Sequence, residues 1–136
     1  MTRNLYLGVK ASVAKSFLAE EVDYYCKYIS HDTNPIHLDS EFAKTTTFGK
    51  CIVPGLMAAS LFGGILGTSL PGNGTIHLSQ TCSFMLPIFV GESIEVEIEL
   101  IKIRDDKPIY TFRTSIHNAE GKIVAIGEAV VKYLST

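Results

Sequence analysis

Three cysteines, Cys26, Cys51 and Cys82, are all that the chain carries, and no two stand at C-x-x-C spacing. An odd, scattered set does not suit a zinc site. Reduced thiols in a cytoplasmic protein are the simplest account, with no catalytic role expected of them. Basic charge is also scarce. Against 14 Asp and Glu stand 12 Lys and Arg, a net charge of −2, which leaves no electrostatic footprint for nucleic acid. No basic run points to an anionic membrane surface. Long apolar runs are missing too. The longest, Ile52 to Leu66, is interrupted by Pro54 and several glycines and falls short of the roughly 20 residues that a membrane span needs. The opening Met1-Thr2-Arg3-Asn4-Leu5-Tyr6-Leu7-Gly8 has no sustained apolar core, so no signal peptide is expected. Repeats, low-complexity tracts and linker-like stretches are absent as well.

What remains is an ordinary globular composition, 46% hydrophobic and 19% charged over 136 residues. That is one domain, 1–136, long enough for a substantial core. Residues 9–17 read as an opening strand. Val22, Tyr25, Cys26 and Ile29 recur at helical spacing and predict a helix over 19–29. Asp39 is placed to cap a short helix over 40–46. Pro54 opens a further helix, tolerated in a first turn because its missing N–H is no loss there. From Gly55 to Leu66 nearly every residue is apolar or small, so that helix must be buried on most sides. Its glycines make it a poor helix alone, and it needs a wrapper.

The second half supplies strands. Residues 75–89 hold two apolar-rich segments broken near Leu86-Pro87. In 92–104, Ile94, Val96, Ile98 and Leu100 alternate with Glu95, Glu97 and Glu99, the mark of a half-exposed strand. Leu100-Ile101 breaks the alternation and predicts a bulge. Strands over 109–117 and 122–133, joined at Asn118-Ala119-Glu120-Gly121, complete an α+β pattern.

The most informative stretch is residues 30–38, Ser-His-Asp-Thr-Asn-Pro-Ile-His-Leu. Asp32 and His37 flank Asn34-Pro35, and Pro35 biases Asn34 out of the helical region. The chain bends between an acid and a base, which can bring both to one spot. A carboxylate beside an imidazole can hold a water and move its protons near neutral pH. Taken on spacing alone, a capped turn with a core histidine is the favoured reading, because turn-forming Asp and Asn are common. Asn34 reads as a turn-former and supporting hydrogen-bonder more than a direct participant. Gly55, in the first turn of the buried helix, either permits tight packing or leaves a helix N-terminal N–H open to an anionic oxygen. Ile65, Leu66 and Phe84 are apolar candidates for a pocket wall or for plain core. His31, His77 and His117 read as structural or surface residues. Pro71-Gly72-Asn73-Gly74 is a turn rather than a phosphate cradle, since no Lys-Ser/Thr follows it.

Asp32 with Asn34-Pro35-Ile36-His37, then Phe42-Ala43, Phe48-Gly49 and Ile52-Val53-Pro54-Gly55, resembles the signature of the MaoC-like hydratases of the hot-dog superfamily. The resemblance continues through Ala59-Ser60-Leu61-Phe62, Leu70-Pro71-Gly72, Phe84, Leu86-Pro87, Val90-Gly91 and Gly127-Glu128-Ala129. It covers nearly the whole chain in order, and within the group it is most similar to the short (R)-specific enoyl-CoA hydratases that feed polyhydroxyalkanoate synthesis. It implies a hot-dog fold, an antiparallel sheet wrapped around a buried central helix. It also implies reversible syn addition of water to a trans-2-enoyl-CoA, giving the (R)-3-hydroxyacyl product. Asp32 and His37 would share the water, with His37 the main base, and Gly55 would polarise the thioester carbonyl. No metal or other cofactor is implied, CoA entering only as part of an acyl-CoA thioester substrate. A cytoplasmic homodimer with sites near its interface is the expected assembly.

The chain departs from that pattern in three places. The residue before the acid is often Gly and here is His31. The residue before the oxyanion Gly is often His and here is Pro54. A Ser often found inside the buried helix appears here as Gly63. Competing expectations are a 3-hydroxyacyl-(acyl-carrier-protein) dehydratase, a hot-dog thioesterase and a non-catalytic acyl-thioester binding subunit. The absence of a concentrated basic patch favours CoA over an acidic carrier protein. The retained Asp32 and His37 argue against a decayed site.

Overall fold

Alternating strands and one glycine-rich helix dictate the architecture. A computed structural model describes residues 5–134. Residues 1–4, on which the expectation of no leader partly rests, lie outside the described residues, as do 135–136. The elements run β1 (Lys10–Ser16), α1 (Ala19–Tyr24), a π-helical turn (Tyr25–Ser30), α2 (Pro35–Leu38), α3 (Ser40–Lys44), α4 (Gly55–Thr68), β2 (Thr75–Gln80), β3 (Ser83–Phe84), β4 (Ser93–Ile103), β5 (Ile109–His117) and β6 (Ile123–Tyr133). The sheet order is β1-β4-β5-β6-β2, with β3 also on β6 and every pairing antiparallel. Met57, Ala58, Ala59, Phe62, Ile65 and Leu66 of α4 are buried, packed in one cluster with Ile94, Val96, Ile98, Leu100, Phe112 and Val131 from the strands. This is the hot-dog arrangement of a curled sheet around a central helix.

Strand β4 keeps its expected alternation, with Ile94, Val96, Ile98 and Leu100 buried. Its register on β5 shifts between Leu100 and Lys102, the bulge that the broken alternation predicts. Gly127 on β6 has a specific cause. A Cβ there would collide with the Thr81 carbonyl, because Thr81 pairs with Glu128 by Thr81 N–H to Glu128 O at 2.9 Å and Glu128 N–H to Thr81 Oγ1 at 3.0 Å.

Several expectations need correction. The helix over 19–29 is α1 followed by a π turn, and Ile29 is 62% exposed rather than on the buried stripe. Each residue of a π turn rotates less about the axis, so Ile29 falls out of phase while Val22 and Cys26 stay buried. The break in 75–89 comes at Thr81-Cys82, not at Leu86-Pro87. Ile76, Leu78, Phe84, Met85 and Leu86 there are exposed instead of lining the core. Pro54 stands just outside α4 as its N-cap, its carbonyl accepting from Met57 N–H at 3.0 Å and Ala58 N–H at 3.2 Å. Gly55 is therefore the first helical residue. Helix α4 is buried on most sides, as expected, and leaves one exposed stripe, Leu56, Ser60, Gly64 and Thr68, at four-residue intervals.

Candidate active site

The acid and base are set by two consecutive local devices. At the end of the π turn, His31 adopts φ 52°, ψ 46°, the left-handed region. The chain reverses there, and Asp32 N–H donates back to Cys26 O at 2.9 Å. The second device is the Asn-Pro turn. Asn34 sits at φ −63°, ψ 116°, extended as Pro35 requires. Its side-chain carbonyl accepts from Ile36 N–H at 3.2 Å and so caps α2. Its own N–H donates to Asp32 Oδ1 at 2.8 Å. One oxygen of Asp32 is thereby spent, and the other, Oδ2, lies 3.7 Å from His37 Nε2.

His37, on the one-turn helix α2, is oriented from behind. Its Nδ1 lies 2.7 Å from Ile52 O. A carbonyl can only accept, so Nδ1 carries a proton, and Nε2 is the nitrogen that faces Asp32. The two atoms are too far apart for a direct hydrogen bond, and a single water can touch both. The His37 side chain is 11% exposed and that of Asp32 34%, so the pair is accessible yet shielded on the imidazole side. Asp39 closes the segment. Its N–H donates to Pro35 O at 2.9 Å, and its side chain caps α3 through Glu41 and Phe42 N–H at 3.0 and 3.2 Å, as expected from sequence.

Ile52 joins this pair to the start of α4. Its N–H donates to Ile36 O at 3.2 Å, and the next residue, Val53, donates to Ile88 O at 2.7 Å. Three residues after Ile52 comes Gly55. Among the described residues no acceptor takes the Gly55 N–H, as holds for first-turn amides in general. A cavity of about 330 Å³ lies here, lined by Ile52, Val53, Gly55, Leu56, Phe84, Leu86, Pro87, Ile88 and Val124. A Cβ on Gly55 would stand 2.7 Å from the Phe84 ring, so the packing reason for glycine is real beside the electrostatic one. A second cleft, about 440 Å³, opens on Asp32 and is lined by Asp23, Cys26, Lys27, His31, Thr33 and Leu38 as well.

Asp32, Asn34 and His37 thus stand together. Gly55 and Phe84 share the neighbouring cavity, with Ile52 common to both groups. Ile65 and Leu66 do not line that cavity. Leu66 is 1% exposed in the core, and Ile65 borders a separate shallow cleft beside Ser12 and Val13 of β1. Helical phase explains this, because both point from α4 into the sheet. His31, expected to be structural or surface, borders the cleft of Asp32. His77 is exposed, with Nε2 3.0 Å from Gln80 Oε1. Sequence reasoning missed Ile52, whose contribution is a backbone carbonyl that every residue type shares. Burial first, and then the Asp32 and Asp23 carboxylates, push the Cys26 thiol up, so it is no ready nucleophile. Among the described residues no group of His, Cys, Asp and Glu could hold a metal ion, and no helix is long and apolar enough to cross a membrane.

Residues 10–120 match the family described as MaoC like domain. The chain is 48% identical over 130 residues to an (R)-specific enoyl-CoA hydratase of Aeromonas caviae, covering 96% of each chain. It is 38% identical over 127 residues to a mitochondrial 3-hydroxyacyl-(acyl-carrier-protein) dehydratase of Solanum lycopersicum, covering 92% of this chain and 75% of that one. Among solved structures, the A. caviae (R)-hydratase involved in PHA biosynthesis superposes with a TM-score of 0.94 at 47% identity, over 97% of this chain and 99% of that one. An unliganded R-hydratase from Pseudomonas aeruginosa gives 0.92 at 33% identity, over 97% of this chain and 84% of that one.

Proposed function

The chain belongs to the MaoC-like domain family, and on that premise we propose that it is an (R)-specific 2-enoyl-CoA hydratase, a hydro-lyase working in either direction. One observation supports the reading above others. The bond from His37 Nδ1–H to Ile52 O leaves Nε2 as the basic nitrogen, 3.7 Å from Asp32 Oδ2. A water between them loses a proton to His37 as its oxygen bonds to the β-carbon of a trans-2-enoyl thioester. Negative charge passes to the thioester oxygen, which the Gly55 N–H at the positive end of α4 stabilises. The α-carbon then takes a proton from the Asp32/His37 pair on the same face, and the pair returns to its starting state. One water is consumed, its hydroxyl on the β-carbon and its hydrogen equivalent on the α-carbon. Asn34 holds the Asp32 carboxylate in place. Phe84 with Ile52 and Val124 forms the apolar wall for the acyl group.

We assign the protein to the cytoplasm as a homodimer. Buried or half-buried free thiols suit a reducing compartment. The exposed stripe on α4, with Leu56 at 69%, and the exposed Phe84, Met85 and Leu86 leave apolar surface that a second copy would cover. A supply of precursors for polyester synthesis is the matching metabolic use. The test is hydration of trans-2-butenoyl-CoA by the purified protein, with configuration read by a stereospecific 3-hydroxyacyl-CoA dehydrogenase. Turnover to the (R) product is expected. Activity confined to acyl-carrier-protein thioesters would replace this reading with the dehydratase alternative. Binding without turnover of either would leave a non-catalytic thioester binder.

A further inference from the structure

His31 is the one non-glycine residue with positive φ among the described residues. A side chain there pushes Cβ against the following carbonyl, so the conformation persists only where its surroundings impose it. The surroundings are on both sides of the acid. Upstream, the N–H groups of His31 and Asp32 both return to Cys26 O, and Cys26 is 1% exposed in the core. Downstream, Asn34 N–H holds Asp32 Oδ1. The imidazole of His31 is not what is used. It is exposed and, among the described residues, makes no hydrogen bond or ion pair. A right-handed residue at 31 would carry the chain onward along the π-turn axis, and the Asp32 N–H could not reach back six residues to Cys26.

We propose that His31 is a positioning residue, whose left-handed backbone closes the π turn on Cys26 and thereby aims the Asp32 carboxylate at His37. The inference rests on the reading of Asp32 as half of the reacting pair. It concerns the main chain at 31, so replacements should rank by their tolerance of positive φ and not by their chemistry. Glycine and asparagine adopt that region readily, alanine less so, and β-branched valine least.

The experiment is a series, His31→Gly, His31→Asn, His31→Ala and His31→Val, read by kcat and KM for trans-2-butenoyl-CoA hydration. H31G and H31N should keep kcat within about twofold, while H31V loses roughly tenfold to a hundredfold, the scale of a small misplacement of a reacting group, with KM little changed. In an Asp32→Ala background H31V should cost almost nothing further, since what it misplaces is already gone. If H31V does not fold, H31A carries the same comparison at smaller amplitude. The ring 15N signals of His37 give a readout that needs no turnover: they should move in H31V and stay in place in H31G and H31N. A wild-type protein without hydratase activity would sink the functional reading alone, and the NMR ranking would still decide this one. Loss of kcat in H31G and H31N equal to that in H31V would overturn the proposal in favour of the imidazole. Full activity and unmoved His37 signals in H31V would overturn it outright.

Discussion

The long strands β4, β5 and β6 and the segment from Tyr25 to Asp39 are built on opposite terms. In the strands, long ladders carry the backbone, and in β4 alternation places the side chains as far as its bulge. Ile94, Val96, Ile98 and Leu100 go inward and the intervening glutamates outward, and the backbone is satisfied by its neighbours. From Tyr25 to Asp39 no rule lasts more than one turn. A π turn gives way to a left-handed residue, an Asx-type turn and a four-residue helix, and the side chains of Asn34 and Asp32 serve the main chain. The first region carries stability in its interior and can lose surface residues cheaply. The second holds the candidate chemistry and contributes little core beyond Cys26. The candidate site sits on irregular backbone steadied by a regular scaffold.

The sharpest way to break that comparison is to separate activity from stability. Asp32→Ala and His37→Ala should each lower hydration kcat by about 10²- to 10⁴-fold, while thermal melts stay close to wild type. A collapse of the fold in either variant would show that the segment is structural after all. The reverse experiment is Phe112→Ala in β5, a fully buried ring. It should cost about 3–5 kcal/mol in urea unfolding, with kcat per folded molecule nearly intact. A smaller contrast lies inside the segment. Asp39→Ala removes the cap of α3 and should cost about 1 kcal/mol, read by the same unfolding curves, with kcat unchanged. The mildest effect concerns the thiols. Burial pushes Cys26, Cys51 and Cys82 up, so thiolate is scarcer than usual at neutral pH. Alkylation by iodoacetamide, followed by mass spectrometry, should be slow at pH 7, quicken as pH rises past the ordinary thiol range, and come last at Cys26.

The same contrast explains what could be read in the sequence. Strand β4 and its bulge were legible because alternation is a local, two-residue signal. The Asp32/Asn34/His37 turn was legible because proline restricts its predecessor whatever the fold. The cap at Asp39 needed only its own next two amides. The π turn was not legible, since Val22, Tyr25, Cys26 and Ile29 keep the spacing of an ordinary helix and carry no local sign of a wider turn. The exposure of Ile76, Leu78 and Phe84 could not be told from composition, because an apolar residue in a short strand faces either way. For Ile65 and Leu66 the pattern showed burial, but not whether a cavity or the sheet lies opposite.

The position of Ile52 bears on how such a protein can change over generations. Its carbonyl steadies the imidazole, its N–H ties down α2, and the residue also borders the cavity beside Gly55. Both of those bonds belong to the main chain, so a different side chain here reshapes the cavity and leaves the hold on the imidazole in place. On the proposed reading, the side chains at Ile52 and at Val124 on β6 are both open to change that alters acyl fit, since neither side chain holds the base. The orientation of one ring thus constrains the path of the main chain at this point and leaves its side chain free to vary.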